Sequence, residues 1–182
     1  GVFRIGTATS LFPSTLRIAL PAYRKRYPNI ELQIQTDRHL DASIYLNENK
    51  VDMLYRSGPL NLEPNFVCHY KREERLVFVV SAAHPLAQKK TVRLKDLFDY
   101  TFIVTEQDGI CYTMLRKLAI LHGFTIHHNF IIDALNALLM LLVQSESVSF
   151  LPEYYISAEI KDGSLKILDV EDMEPQIYYS QI

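Results

Sequence analysis

The chain is expected to be an α/β protein of two Rossmann-like lobes joined by crossing strands. Residues 1–59 read strand, helix, strand, helix, strand with short links, the grammar of parallel α/β units. From residue 101 onward the same grammar returns, with no sequence repeat, low-complexity tract or flexible linker between the halves. A length of 182 residues suits one domain or two small lobes, and 48% hydrophobic against 22% charged residues is an ordinary globular balance. Lobe I is placed at residues 1–78 with a returning strand at 176–182, and lobe II at residues 79–175.

Residues 2–5 form a β-prone run that turns at Gly6. Thr7, Ala8, Thr9 and Ser10 follow, and then an apolar-periodic segment that closes on Arg24, Lys25 and Arg26. This reads as strand, polar turn, helix. Hydroxyls stand where a helix start exposes unpaired N–H groups, and the dipole there suits a carboxylate or another anion. Ordinary N-capping accounts for the same residues. Pro21 removes a donor inside the helix and predicts a kink. Tyr27, Pro28 and Asn29 end it.

Residues 30–35 alternate apolar and polar, which predicts a strand with unequal faces. Residues 40–49 read as a helix with Leu40, Ile44 and Tyr45 facing inward. Residues 51–55 form a strand ending at Arg56, Ser57, Gly58 and Pro59. Right-handed crossovers bring the three strand C-termini to one edge, beyond which open α/β sheets bind ligands. Thr7 to Ser10, Thr36, Asp37, Arg56 and Ser57 converge there.

Residues 66–70 and 76–81 read as strands around a charged turn at 71–75, and residues 92–97 as a short helix with its lead-in. A strand at 101–104 breaks at Thr105, Glu106, Gln107, Asp108 and Gly109. A helix at 110–122 follows, stopped by Gly123 as a C-cap. Residues 126–132 form a strand, with Ile131 near its end, and Asp133 is the expected N-cap of a helix at 134–143. Strands at 148–151, 164–170 and 177–182 and a short helix at 154–160 complete the chain. The polar turns of the two halves are expected to face each other across a cleft.

Nineteen basic and 21 acidic residues leave a net charge of −2, which argues against this segment itself binding nucleic acid. Cys68 and Cys111 form no CxxC and no zinc spacing, and two thiols are compatible with a reducing compartment. No signal peptide opens the chain. The longest apolar run, residues 137–143, falls short of the roughly 18 residues that would span a bilayer. His127 and His128 point to opposite faces of a strand and cannot share a metal. Met114, Leu115, Leu118 and Leu121 have helix-core spacing. No Ser/His/Asp order, HExxH, P-loop or GxGxxG is present, so no enzyme is expected and no cofactor or metal is assigned.

In order and spacing, several passages together resemble the effector-binding (regulatory) domain of LysR-type transcriptional regulators, a fold like type 2 periplasmic binding proteins. They are FRIGTATS at the start; Ala22 to Leu32, matching an aromatic-x-x-x-Tyr-Pro-x-(Ile/Val)-x-Leu pattern; and Asn49-Lys50-Val51-Asp52-Met53. Glu74 to Ser81 with His84-Pro85-Leu86-Ala87, and Ser149 to Tyr154, complete the set. The chain departs from the family in several places, Pro21 within the first helix among them. Gln144-Ser145-Glu146-Ser147 replaces a Gly-x-Gly turn. Arg56 sits one position before the family's usual arginine, with Ser57 in its place. The C-terminal helix usual in the family is missing, as are the N-terminal winged helix-turn-helix and its linker helix.

The resemblance implies a small-molecule effector, an organic or aromatic acid, bound between the lobes of a bacterial, cytoplasmic regulator. The effector contacts it implies are Thr7, Ala8, Thr9, Ser10, Asp37, Arg56, Ser57, Thr105, Glu106, Asp108, Gly109 and Ile131. Arg56 would clamp a carboxylate. Glu106 and Asp108 would repel one unless they point away or the effector also carries hydroxyls or amines. DNA would be contacted through the missing N-terminal domain. Homodimers or tetramers are implied, pairing through the first helix and the 110–122 helix, with Arg24 to Arg26 solvated. Two alternatives stand beside this: a transporter's solute-binding protein on the same fold, and a thiol switch. Cys111 at a helix start is where a dipole favours thiolate, and peroxide-sensing members of the family place a reactive cysteine near this turn. Its candidate partner is Cys68. The plainer reading of Cys111 is a small buried apolar residue.

Overall fold

Two units make up the chain, Gly1–Glu74 with Tyr178–Ile182 and Arg75–Ile177. The computed structural model describes residues 1–37, 41–58 and 65–182, leaving aside the side chains of residues 42 and 43. Leu40 and Pro59 lie outside the described residues.

In the first unit, β1 (Val2–Thr7) lies between β2 (Glu31–Thr36) and β3 (Met53–Ser57), parallel to both. Thr7 stands opposite Thr36 on one side and Tyr55 on the other. The crossovers are α1 (Thr15–Arg26) and α2 (Ala42–Asn47). The core collects Ile5, Leu11, Leu16, Val51, Leu54 and Tyr55, all buried.

The opening stretch differs from its sequence reading. β1 does not stop at Gly6, because pairing with strands on both sides carries it through Thr7. A single 3-10 turn, Thr9–Leu11, then drops Leu11 into the core at 1% exposure, and α1 begins only at Thr15. Thr7 to Ser10 therefore do not cap α1. Pro21 lies inside α1 without ending it, its ring on the exposed face. Arg24 is not simply solvated: it donates to Pro28 O (2.6 Å) and Ile30 O (3.0 Å) and closes the turn into β2. Arg4 grips both carboxylate oxygens of Asp52 and donates to Asn49 O at 2.7 Å. Asn49, at φ +53, is thereby held in the left-handed turn after α2.

A second correction concerns residues 66–75. The charged run is extended, not turned: β4 is a single strand, Lys71–Ser81, and residues 66–70 are irregular. Alternation explains it, since Glu74, Leu76 and Phe78 share one face and all three are buried. β9 (Gln176–Gln181) pairs antiparallel with β3, with Ser57 opposite Ser180. β4 and β9 each contain residues of both units.

In the second unit, the later residues of β4 pair antiparallel with β7 (Ser149–Pro152) and β8 (Leu165–Ile167). β5 (Phe102–Val104) runs parallel to β6 (His128–Ile131). Its helices are α3 (Leu94–Phe98), α4 (Ile110–His122), α5 (Leu135–Val143) and α6 (Ser157–Asp162). Val77, Val79, Ile103, Leu138, Leu139, Leu142, Leu151, Ile156 and Leu165 form its core, and each such side chain contributes roughly 1.5–3 kcal/mol by leaving water. α4 ends at Gly123, φ +71, as expected of a C-cap glycine. Leu121 departs from the expected core face of α4: it is 77% exposed, while Cys111, Leu115, Leu118 and Ala119 point inward. Asp133 does not cap α5, whose N-cap residue is Ala134.

The glycine-free turn after α5 is built from side chains instead. Ser145 Oγ accepts from Ser147 N at 3.2 Å, and Ser81 Oγ donates to Val143 O at 2.8 Å. His84, 1% exposed, hydrogen-bonds Glu146 O through Nε2 at 3.1 Å and accepts from Leu86 N at Nδ1.

Candidate functional site

In the first unit the strand register brings the expected residues to one edge. Thr7 ends β1, Asp37 follows β2, and Arg56 and Ser57 end β3. The Thr7 carbonyl accepts from Asp37 N at 3.2 Å, and its Oγ1 donates to Ala8 O at 3.3 Å. Asp37 Oδ2 accepts from the Tyr45 hydroxyl at 2.7 Å, a bond that raises the Tyr45 pKa above its ordinary value. Ala8 O accepts from Leu11 N, shaping the 3-10 turn that leaves Thr9 exposed and Ser10 half-buried. Arg56 and Ser57 are half-buried opposite Gln181 and Ser180 of β9. Gly58 then turns at φ +142, a conformation side chains disfavour. This edge carries hydroxyls, backbone groups, one guanidinium and one carboxylate.

Behind it lies a buried polar cluster that the sequence reading missed. Tyr55 is fully buried, and its hydroxyl lies 3.1 Å from Ser14 Oγ, Thr15 Oγ1 and Ser180 Oγ. Ser14 and Ser180 in turn donate to Glu74 Oε1 at 3.0 and 2.8 Å, and Arg72 Nε stands 3.6 Å from the same oxygen. A carboxylate can be buried in this way because its lone pairs are met. One signal was available in the sequence: Glu74 is in phase with Leu76 and Phe78 and so belongs to their buried face.

In the second unit, Thr105, Glu106, Asp108 and Gly109 follow β5, and Ile131 ends β6 opposite Val104, so these too share one strand-end edge. Ile131 is 49% exposed. Thr105 Oγ1 is buried with no hydrogen-bond partner among the described residues. Gly109 is the N-cap residue of α4 and donates its N–H to Glu106 O at 3.0 Å. A Cβ at this position would sit 3.1 Å from that same oxygen, so the turn closes tightly on glycine.

Cys111 does not acquire the thiolate character expected of a helix start. Burial, with the Glu106 carboxylate adding to it, pushes the thiol up to about 12, and neighbouring Thr105 offsets only part of that rise. Desolvation outweighs the dipole. Among the described residues no group of three His, Cys, Asp or Glu side chains is set to hold a metal ion, and no helix is long and apolar enough to cross a membrane.

Comparison with known proteins identifies the family and the fold. A probable RuBisCO transcriptional regulator from Phaeodactylum tricornutum is 21% identical over 178 residues, covering 95% of this chain and 58% of that protein. The HTH-type transcriptional activator CmpR from Synechocystis sp. is 26% identical over 162 residues, 88% of this chain and 52% of its own. The chain thus spans little more than half the length of these relatives. Among solved structures, the Synechocystis PCC6803 CcmR regulatory domain in complex with 2-PG matches with a TM-score of 0.80 at 19% identity, over 100% of this chain and 87% of that one. The effector binding domain of QuiR in complex with shikimate matches at 0.74 and 20% identity, again over 100% and 87%. These likenesses carry the fold, that of LysR effector-binding domains. The family model described as LysR substrate binding domain matches residues 1–181, and with it the chain belongs to that family.

Proposed function

We propose that this chain is the effector-sensing domain of a bacterial LysR-type transcriptional regulator and that it binds a small organic acid at its strand-end turns. The observation that carries the reading is the in-register convergence of Thr7, Ala8, Thr9, Ser10, Asp37, Arg56 and Ser57 at the C-terminal ends of β1, β2 and β3. Arg56 is the anchor for a carboxylate. Asp37, on the same edge, selects for an acid that also carries a hydrogen-bond donor, such as a hydroxy acid. Structural neighbours bound to shikimate and to benzoate are consistent with this class of ligand.

DNA contact and transcriptional control belong to the longer protein. Cytoplasmic location and homodimeric or tetrameric assembly are part of the same reading. Exposed Ile18 of α1 (70%) with Ile120 and Leu121 of α4 (69% and 77%) supports pairing through these helices. Family membership favours a regulator over a transporter's solute-binding protein and over an enzyme. A thermal-shift screen of organic and hydroxy acids tests the site: Arg56→Ala and Thr9→Ala should each reduce the shift produced by a hit. Full retention of every shift in both variants refutes this placement.

A further inference from the structure

We infer that Tyr55 is a positioning residue for effector binding: its buried hydroxyl fixes the loop of residues 8–14, which carries the proposed contacts Ala8, Thr9 and Ser10. The inference rests on the effector-binding reading above. The backbone of Tyr55 is the register partner of Thr7, where the loop leaves β1. Its hydroxyl reaches Ser14 and Thr15, where the loop enters α1. One residue therefore meets both ends of the loop, by its backbone at Thr7 and by its hydroxyl at Ser14 and Thr15. Ser14, the N-cap residue of α1, makes no capping bond with its hydroxyl among the described residues and donates to Glu74 Oε1 instead. A cap position is thus given over to the cluster, in place of the usual bond to its own helix.

The cluster also ties the loop to two further strands. Ser180 of β9 and Glu74 of β4 complete it, and both strands continue into the second unit. Ser180 is the register partner of Ser57, so the network's β9 member lies on the strand beside the proposed anchors of β3. The contacts are 2.8–3.1 Å long in a dry interior: with Ser14 and Ser180 donating to Glu74, the single Tyr55 proton goes to one neighbouring oxygen at a time, and losing one partner strands the others.

The test is hydrogen exchange by mass spectrometry on the intact chain, comparing wild type, Tyr55→Phe and Ser14→Ala. Phe keeps the buried ring and removes only the hydroxyl. Exchange at the Leu11 and Ser14 amides, which bond Ala8 O and Leu11 O, should rise about tenfold in both variants, the effect of losing one buried hydrogen bond. Peptides over Leu115 and Leu118 should not change. Unchanged exchange at Leu11 and Ser14, or a uniform rise through both units, overturns the inference. Should Tyr55→Phe fail to fold, Ser14→Ala and Ser180→Ala, which leave the ring in place, decide the same question.

A calorimetric titration with benzoate and with shikimate supplies the second arm. If wild type binds either acid, Tyr55→Phe should bind it at least fivefold more weakly at a temperature where both proteins are folded. Equal affinity overturns the positioning role. If wild type binds neither, the effector class is wrong for these acids, and the exchange measurements still decide whether the hydroxyl fixes the loop.

Discussion

His84 gives a pH dependence whose sign follows from geometry. The ring is 1% exposed and packs 4.5 Å from Tyr100. Nδ1 accepts from Leu86 N at 3.0 Å, so the proton of the neutral ring must sit on Nε2, facing Glu146 O at 3.1 Å. Charging the ring would place an N–H on Nδ1 against the Leu86 N–H, donor against donor. Burial lowers the His84 pKa from the ordinary histidine value, and the Glu146 carbonyl and charge oppose that only in part.

Between the lowered folded value and about 6.5 the unfolded chain therefore holds more protons, and stability rises with pH. The contribution is complete above about 6.5 and is lost as pH falls below it. Loss of one buried hydrogen bond and stranding of a donor is worth roughly 1–3 kcal/mol, or a melting shift of about 2–12 °C in a chain of this size. The assay is urea unfolding at pH 8 and pH 5 for wild type and His84→Ala. His84→Ala should be less stable at pH 8 and show a smaller loss on acidification than wild type. Asp52 and Asp162, whose pKa values are lowered by Arg4 and by Ser164, titrate alike in both proteins and cancel. Identical pH slopes for the two proteins would refute the argument.

Two further outcomes are expected. Cys111, with its thiol pushed up to about 12 and 6% exposed, should resist iodoacetamide at pH 8 in the folded chain while Cys68, half-buried, reacts first; peptide mass spectrometry reads the order. Gly109→Ala should cost about 1–3 kcal/mol by denaturant midpoint, because its Cβ would press on the Glu106 backbone.

Where the sequence was sufficient, the information was local. The strand–helix alternation follows from periodicity over short windows. The bounds of α4, Ile110–His122, follow from an apolar stripe that begins after Gly109 and stops at Gly123. The same alternation placed Thr7, Asp37 and Arg56 at strand ends, and parallel pairing then brought those ends to one edge.

What the tertiary structure alone decided depends on partners distant in the chain. Lys71 to Arg75 look like a turn by charge, yet they lie in β4 because Glu74 finds Ser14, 60 residues away, and Ser180, 106 away. Pairing of β1 with β2 and β3 carries the strand through Thr7, Thr9 and Ser10 open a 3-10 turn, and α1 starts at Thr15, so none of Thr7 to Ser10 caps it. Cys111 stands at the helix start the sequence indicated, and its burial decides for the plainer reading of a small apolar residue over a reactive thiol. Tyr55 and Ser180, 125 residues apart, meet inside the fold. Periodicity and capping act over a few residues and can be read along the chain, whereas burial of a polar group requires partners that only the folded chain brings together.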